Sequence, residues 1–324
     1  MDAEDLELFS RSIRHAAEAA GGSSGFDAGA FDASLADLGW HDAVADFPRE
    51  SISTLFSIQG ETNATSSALH RVVAWALTGS PSAPGAILPR LGSWQPPARE
   101  AGDQVQVNGL ANTALVEAGE VTVPVATAGG ANRSATVTVG DLQLSPVKGL
   151  DAGAALVRAT GSVPGTDAKS NEGDWANAVR IGRLAVGHEL VGASRGVLAQ
   201  AREHALERIQ FGQPIARFQA VRHKLAEILI AIETADALLD AAWLDGTDVT
   251  ASMAKAAAGR AGRLAARNGQ QVLAGIGFTE EHGVHRWIRR ILLLDEVLGS
   301  SRTLTKDLGS NLLASRQLPP LLPL

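Results

Sequence analysis

Residues 208–219 read RIQFGQPIARFQ, and this stretch separates two long segments of helical spacing. Gly212 and Pro214 both interrupt helices, and a new apolar run begins at Phe218. In that run five apolar residues recur at the spacing of one broad helix face. They are Val221, Leu225, Ile228, Leu229 and Ile232. Helical spacing continues from about residue 174 to residue 313 with many alanines, which favour helices. The sequence therefore predicts a tightly packed helical bundle with a turn at 208–219.

The composition excludes several classes of protein. The 324 residues are 45% hydrophobic and 19% charged, which is typical of a folded domain. The net charge of −7 lacks the basic footprint of a nucleic-acid-binding protein. There is no cysteine, so disulfides, thiolate nucleophiles and cysteine metal sites are excluded. We expect no membrane span and, from the acidic opening MDAEDLELF, no secretory signal and a cytoplasmic location.

The middle of the chain has the residue pattern of a small β domain. Valine recurs at every second position in three short sets, at 105–107, 121–125 and 137–139, which is typical of half-buried strands. Asn108-Gly109 predicts a hairpin turn, and Pro124 predicts an edge strand. We therefore expect a mainly α fold with a helical domain at 1–80, a reduced, barrel-like β domain at 81–170 and a four-helix bundle at 171–324.

Two motifs in the bundle, together with this order of domains, resemble the acyl-CoA dehydrogenase family. The first is Arg208-x-x-Phe211-Gly212-x-Pro214-Ile215-x-x-Phe218-Gln219. The second is QVLAGIGF, with Gln271, Gly275, Gly277 and Phe278. Arg289-Arg290 stand where the family usually has Arg-Asp. The resemblance implies an N-terminal helical domain, a middle β domain, a C-terminal four-helix bundle and FAD held between subunits.

The same resemblance implies which residues contact FAD. An arginine fork can bind two oxygens of a pyrophosphate, glycines allow close approach of backbone amides, and a glutamine both donates and accepts. The residues that the family pattern assigns to a neighbouring subunit's FAD are Arg208, Phe211, Gly212, Gln219, Gln271, Gly275 and Gly277. Without a flavin, the two motifs would be an interhelical turn and a helix end.

The catalytic base of the family has no obvious counterpart. Most members carry a glutamate before a Gly-Thr pair, where it removes the α-proton of the substrate. Gly299-Ser300 matches that pair, so Leu298 occupies the base position. A minority carry the glutamate earlier, at the position of Gly182. We therefore expect no catalytic residue in this chain, with Glu296 as the alternative base and a paired or solvated Glu296 as the more ordinary interpretation.

The missing base and the reduced β domain, which lacks the family's Trp-Ile-Thr-like segment, make the chain similar to one branch of the family. These are the short subunits of heterotetrameric acyl-CoA dehydrogenases of actinobacterial steroid side-chain catabolism. The resemblance implies an acyl-CoA substrate, a full-length homologous partner, an electron-transfer flavoprotein and a dimer or heterotetramer. Two alternatives stay open: a self-sufficient homo-oligomeric dehydrogenase, and a structural subunit without flavin. His282 and His285 beside Glu281 lack the spacing of a zinc helix, and we expect no metal.

Overall fold

The computed structural model describes residues 1–22, 25–117, 119–127, 132–149, 151–164 and 169–316. The first segment is helical, and side-chain caps begin its first two helices: Asp2 accepts from the amide of Asp5, and Asp27 from that of Ala30. Pro48 occupies the first turn of its helix, where a missing N–H is tolerated. The elements are α1 (Ala3–Ala20), β1 (Gly21–Gly22), β2 (Gly25–Phe26), α2 (Ala28–Asp37), α3 (Trp40–Asp46), α4 (Pro48–Thr62) and α5 (Ala68–Thr78).

The middle segment forms a sheet with more strands than the three sets of valines indicated. In the described residues seven strands pair in the order β7-β8-β4-β3-β5-β6-β9. Their apolar sides enclose a separate core of mostly valine and alanine. The elements are β3 (Ala98–Ala101), β4 (Gln104–Asn112), α6 (Thr113–Glu117), β5 (Glu120–Ala126), β6 (Asn132–Thr138), β7 (Gln143–Pro146), β8 (Leu156–Pro164) and β9 (Lys169–Glu172).

Two local predictions for this sheet are wrong. Asn108-Gly109 is not a turn but lies inside β4, where both residues pair with β8. Glycine is needed there because a Cβ would lie 2.4 Å from the carbonyl oxygen of Leu88. Pro124 lies in an interior strand, between β3 and β6. The β3 ladder pairs only with Val125 and Ala126, so the missing N–H of Pro124 interrupts no bond on that side.

The last described segment is the predicted bundle. The helices α7, α8 and α9 pack side by side, and α10 and α11 lie against α9. Asp174, Thr247 and Ser300 cap α7, α9 and α11 through their side-chain oxygens, as short polar residues do at helix starts. The bounds are α7 (Trp175–Glu207), β10 (Ile209–Gln210), β11 (Gln213–Pro214), α8 (Gln219–Asp245), α9 (Asp248–Leu273), α10 (Val284–Glu296) and α11 (Ser301–Ser315). Residues 317–324 of the predicted bundle domain lie outside the described residues.

The predicted order of helices, β domain and helical bundle is confirmed. One hydrophobic core includes residues of the N-terminal helices and of the bundle. The helices α4 and α7 approach closely at glycines, since a Cβ at Gly60 would lie 2.1 Å from the carbonyl oxygen of Glu189. The predicted apolar face of α8 is only partly buried, because Ile228 and Ile232 lie in the core whereas Leu229 is exposed to solvent. No described helix is long and apolar enough to cross a membrane.

Candidate functional site at the bundle end and the 295–301 segment

The turn at 208–219 is a two-residue hairpin beyond the end of α7. Arg208 caps α7, β10 and β11 pair through Ile209–Pro214 and Gln210–Gln213, and the two residues between them have φ of 52° at Phe211 and 77° at Gly212. Positive φ at both central positions is what such a tight hairpin requires. A phenylalanine in this region is a genuine outlier, and strained residues of this kind cluster at functional sites.

The aromatic side chains of both motifs stand in solvent. Phe211 is 91% exposed and Phe278 is 75% exposed. The ring of Phe211 packs edge-on against Phe218 of its own motif, with centroids 6.0 Å apart. Each motif thus presents one largely exposed aromatic ring.

A small core supports both motifs at the same end of the bundle. Ala201 and Ala205 of α7 meet Val272 of α9, and the 208–219 motif packs on them through Ile215 and Ala216. Val272 follows Gln271 directly, so the two motifs predicted to contact flavin rest on one cluster. Sequence order alone places them more than fifty residues apart.

Some of the residues predicted to contact flavin are exposed, whereas others are explained by packing within the chain. Arg208, Gln219, Gln271 and Gly275 are exposed, and Arg208 forms no ion pair within the described part of the chain. Gly277 is explained by packing, because a Cβ would lie 2.9 Å from that of Leu273. Gly275 faces open space, with nothing within 4 Å of a Cβ.

The two empty base positions lie against each other. A Cβ at Gly182 would lie 2.6 Å from Cδ1 of Leu298 and 3.1 Å from Cγ2 of Val73. Leu298 is 1% exposed and has a φ of 56°. The apolar side chain of Leu298 thus occupies the space beside Gly182, and neither position carries an acid or base.

Three cations hold the 295–301 segment that contains Leu298. The guanidinium Nε of Arg183 donates to the carbonyl oxygen of Leu298 at 3.1 Å. Nζ of Lys255 donates to the carbonyl oxygens of Asp295 at 2.9 Å and Gly299 at 3.2 Å. Arg263 pairs with the buried carboxylate of Asp295 at 2.5 Å. Burial lowers the pKa of Lys255 to about 8 and that of Arg183 to about 10.

Glu296 has a partner in this structure. Its carboxylate lies 3.3 Å from Arg263, and its side chain is 39% exposed. Its backbone carbonyl accepts from the amide of Gly92 at 2.8 Å. The contacts of Glu296 are therefore those of a half-exposed surface ion pair.

A buried polar cluster around Arg290 was not predicted from the sequence. The Arg290 guanidinium binds Asp151 at 2.5 Å and Glu189 at 3.3 Å. It also donates to the carbonyl oxygen of Ala64 and the hydroxyl of Thr65, both at 2.7 Å. Burial raises the pKa of Glu189, and Arg290 opposes that shift. Arg290 therefore ties α7 to the N-terminal helices and the β domain.

A separate cleft of about 660 Å³ opens on the β domain. Its walls are the 90–97 loop and strands β3, β4 and β8, and Arg90 and Arg99 are the charged residues among those that line it. No described group of three His, Asp or Glu side chains is placed to hold a metal. His282 accepts from the amide of Val284 through Nδ1 at 3.2 Å.

Residues 175–313 match the family described as acyl-CoA dehydrogenase, C-terminal domain. This match, over less than half of the chain, confirms the resemblance noted in the sequence. The acyl-CoA dehydrogenase IpdE2 of Mycobacterium tuberculosis is 35% identical over 122 residues, which is 38% of each chain. The acyl-CoA dehydrogenase FadE34 of the same organism is 40% identical over 120 residues, 35% of this chain and 17% of that protein. The matched part thus spans well under two thirds of these relatives.

Solved structures extend the likeness of fold to nearly the whole chain. The Tcur3481-Tcur3483 steroid ACAD G363A variant has a TM-score of 0.78 at 19% identity, over 97% of this chain and 99% of that one. The ChsE4-ChsE5 complex of Mycobacterium tuberculosis has a TM-score of 0.73 at 19% identity, over 99% of both chains. The fold of the chain is that of an acyl-CoA dehydrogenase.

Proposed function

We propose that this chain is a subunit of an FAD-dependent acyl-CoA dehydrogenase and that its bundle end completes the flavin site of a partner chain. One observation carries the proposal. Both family motifs lie at the same end of the bundle with Arg208, Gln219, Gln271 and Gly275 exposed, while the chain's own base positions hold Leu298 and Gly182.

The bundle end fits part of a flavin nucleotide. Arg208 is exposed and can bind two oxygens of a pyrophosphate in a bidentate geometry. Gly275 leaves room for a ligand against the backbone, since no atom of the chain lies within 4 Å of its Cβ position. Gln271 can donate and accept beside it. Phe211 and Gly212 of the hairpin and Gln219 at the start of α8 are also exposed, and Gly277 packs closely on Leu273.

The reaction would be the α,β-dehydrogenation of an acyl-CoA thioester. FAD, when bound, accepts the hydride that leaves the β-carbon. The proton from the α-carbon needs a carboxylate base, and we assign that base to a full-length homologous partner because positions 298 and 182 cannot supply it. The electrons would leave through an electron-transfer flavoprotein.

The neighbours in fold support a proposal for the partner and the substrate class. One similar structure is described as a steroid ACAD and another as a complex of two named chains. We therefore propose a dimer or heterotetramer acting on an acyl-CoA of steroid origin. Exposed Phe211 and Phe278 are the residues that such an interface would cover.

Co-expression with a full-length homologue tests the proposal. The purified complex should be yellow, and its flavin content should fall in the Arg208→Ala and Gln271→Ala variants. Arg302→Ala is the matched control, because Arg302 is also an exposed arginine of the bundle but lies on α11. Full flavin content in both site variants, or stoichiometric flavin and dehydrogenase activity in the chain alone, would refute the shared site.

A self-sufficient homo-oligomeric dehydrogenase is the second candidate, and the cleft of about 660 Å³ with Arg90 and Arg99 favours it. Such an enzyme needs its own base, so Glu296→Ala should abolish its activity. Activity that survives this substitution removes Glu296 as the base. A complex without any flavin absorbance would instead indicate a structural subunit.

A further inference from the structure

The cleft of about 660 Å³ on the β domain lies outside the proposed flavin site. Its described lining residues come from the 90–97 loop and from β3, β4, β5 and β8, and none of them belongs to the bundle. Its volume falls within the range of about 300–1,000 Å³ that is typical of small-molecule sites. The cleft is therefore large enough for an organic ligand rather than a single ion.

The charges of this cleft favour an anionic ligand. Arg90 and Arg99 line it, and no carboxylate stands among its described lining residues, although the whole chain has a net charge of −7. Glu100, which follows Arg99 in the sequence, is paired with Arg133 at 2.9 Å. The other polar side chains of the lining all carry O–H or N–H donors. They are Ser93, Gln95, Gln106, Asn108, Thr160 and Ser162.

Both arginines have donors that a ligand can use. Arg90 is exposed and forms no ion pair within the described part of the chain. Gln106 holds Arg99 in place, since its Oε1 accepts from Nε of Arg99 at 3.3 Å and from Nη2 at 3.1 Å. The remaining N–H groups of each guanidinium can bind two oxygens of one phosphate in a bidentate geometry.

The 90–97 loop, which forms one wall of the cleft, is fixed by the rest of the chain. The carbonyl oxygen of Trp94 accepts from the indole N–H of Trp175 at 3.0 Å, and that of Pro97 accepts from the amide of Asn108 at 2.8 Å. Pro96 and Pro97 also restrict the backbone and add an apolar strip to the lining. A preorganised wall lowers the entropic cost of binding, and an apolar strip beside two cations suits a base with its phosphates.

We propose that this cleft binds the phosphate groups of a nucleotide, with Arg90 and Arg99 as the anion-binding residues. The apolar strip at Pro96 and Pro97 contacts the base or the ribose. An adenosine diphosphate group is common to CoA and FAD, so either molecule could be the source of the ligand. The choice between these two rests on the proposed function. The anion site itself does not, because the cleft and the bundle end have no residue in common.

Titration calorimetry on the full chain with ADP, adenosine and inorganic phosphate tests the site. We expect ADP to bind at least about tenfold more tightly than adenosine, which lacks the phosphates, and than inorganic phosphate, which lacks the base. Arg90→Gln and Arg99→Gln should each lower the affinity for ADP about tenfold. Both side chains are exposed, so the urea midpoints of the variants should equal that of the wild type. Equal affinities for ADP and adenosine, or undiminished ADP binding in both variants, would overturn the inference.

Two control variants separate the cleft from general charge effects and from the bundle end. Lys148→Gln removes an exposed cation of the same domain that is not among the lining residues. Arg208→Ala removes the predicted flavin contact of the bundle. Neither substitution should change the affinity for ADP. A loss in Lys148→Gln as large as in the cleft variants, or a loss in Arg208→Ala alone, would contradict the assignment to the cleft.

CoA and FAD as further ligands identify the source of the nucleotide. Binding of CoA that is tighter than that of ADP and weakened in the cleft variants supports the cleft as a site for the acyl-CoA substrate. The same result with FAD supports it as a site for flavin. Hydrogen–deuterium exchange then locates ADP. Protection of residues 90–108 supports the cleft, whereas protection confined to 208–219 and 271–278 overturns the inference. Flavin content of the complex in Arg208→Ala tests the proposed function separately.

Discussion

Lowering the pH from 7 to 5 should destabilise the chain through two buried histidines, His70 and His188. His188 lies inside the bundle, where its Nε2 accepts from the indole N–H of Trp243 at 3.0 Å. His70 contacts the carbonyl oxygen of Ala86 through Nδ1 at 2.8 Å. Burial lowers the pKa of each histidine to about 4. Protonation of His188 would also remove the acceptor that Trp243 needs.

The sign and size of the effect follow from proton linkage. Between pH 4 and 6.5 the unfolded chain binds protons at these histidines and the folded chain does not, so the free energy of unfolding falls as the pH falls through this range. With an ordinary pKa of 6.5 and a folded pKa of about 4, each histidine contributes a loss of about 2 kcal/mol at pH 5. Two of them remove about 4 kcal/mol from a stability that is commonly about 5–15 kcal/mol.

The assay is urea unfolding at pH 7 and pH 5 at constant ionic strength, followed by circular dichroism. His188→Gln keeps an oxygen that can accept from Trp243 but removes the titrating ring. We expect this variant to lose about 2 kcal/mol less than the wild type between the two pH values. The difference between variants is the quantity of interest, because burial raises the pKa of Glu189 and Asp32 and these carboxyls oppose the trend.

The exposed His15 provides the control, and His15→Gln should show the wild-type loss. An equal loss of stability in His188→Gln and the wild type would refute the assignment of a buried neutral imidazole to position 188. A loss that is reduced by the same amount in both variants would show that the reduction is not specific to His188.

Three further predictions concern packing, charge and backbone strain. Gly192→Ala should lower the free energy of unfolding by about 1–3 kcal/mol or more, because its Cβ would lie 2.1 Å from the Ser57 carbonyl oxygen. Gly309→Ala, with open space around it, should leave that free energy unchanged or raise it by up to about 1 kcal/mol. Equal urea midpoints for the two variants would contradict this prediction. Arg290→Met should lower the free energy of unfolding by about 3–5 kcal/mol, because it leaves two buried carboxylates without their cation. A thermal midpoint near that of the wild type would contradict the stabilising role of Arg290. Ala274→Gly should stabilise the chain by about 1 kcal/mol, because Ala274 has φ 53° and ψ −134°, a region suited to glycine; an unchanged urea midpoint would indicate that the strain is absorbed elsewhere.

Much of the fold could be predicted because its signals are local. Helical spacing after Phe218 and alternating valines at 121–125 each arise within one element, and the elements formed where they were expected. The two family motifs were recognisable for the same reason, since each is a short turn with glycine at defined positions. The strand at Asn108-Gly109 was misread as a turn because its pairing with β8 involves residues about fifty positions away.

Contacts between distant residues could not be read from the chain. The hydrogen-bond partners of Arg290 lie 101 to 226 positions away in the sequence. The residues next to an arginine in the sequence do not indicate which distant carboxylates or carbonyl oxygens it will contact. The fit of Leu298 to Gly182 is of the same kind: the sequence identified two positions without a base, but not that they touch.

Periodicity and turn chemistry act over a few residues, so the order of helices and strands and the motifs at 208–219 and 271–278 could be recognised in the amino-acid sequence. Packing of distant segments brings both motifs to one end of the bundle and places Leu298 in the space beside Gly182. These outcomes depend on which surfaces are buried together, and burial is a property of the packed chain rather than of any segment.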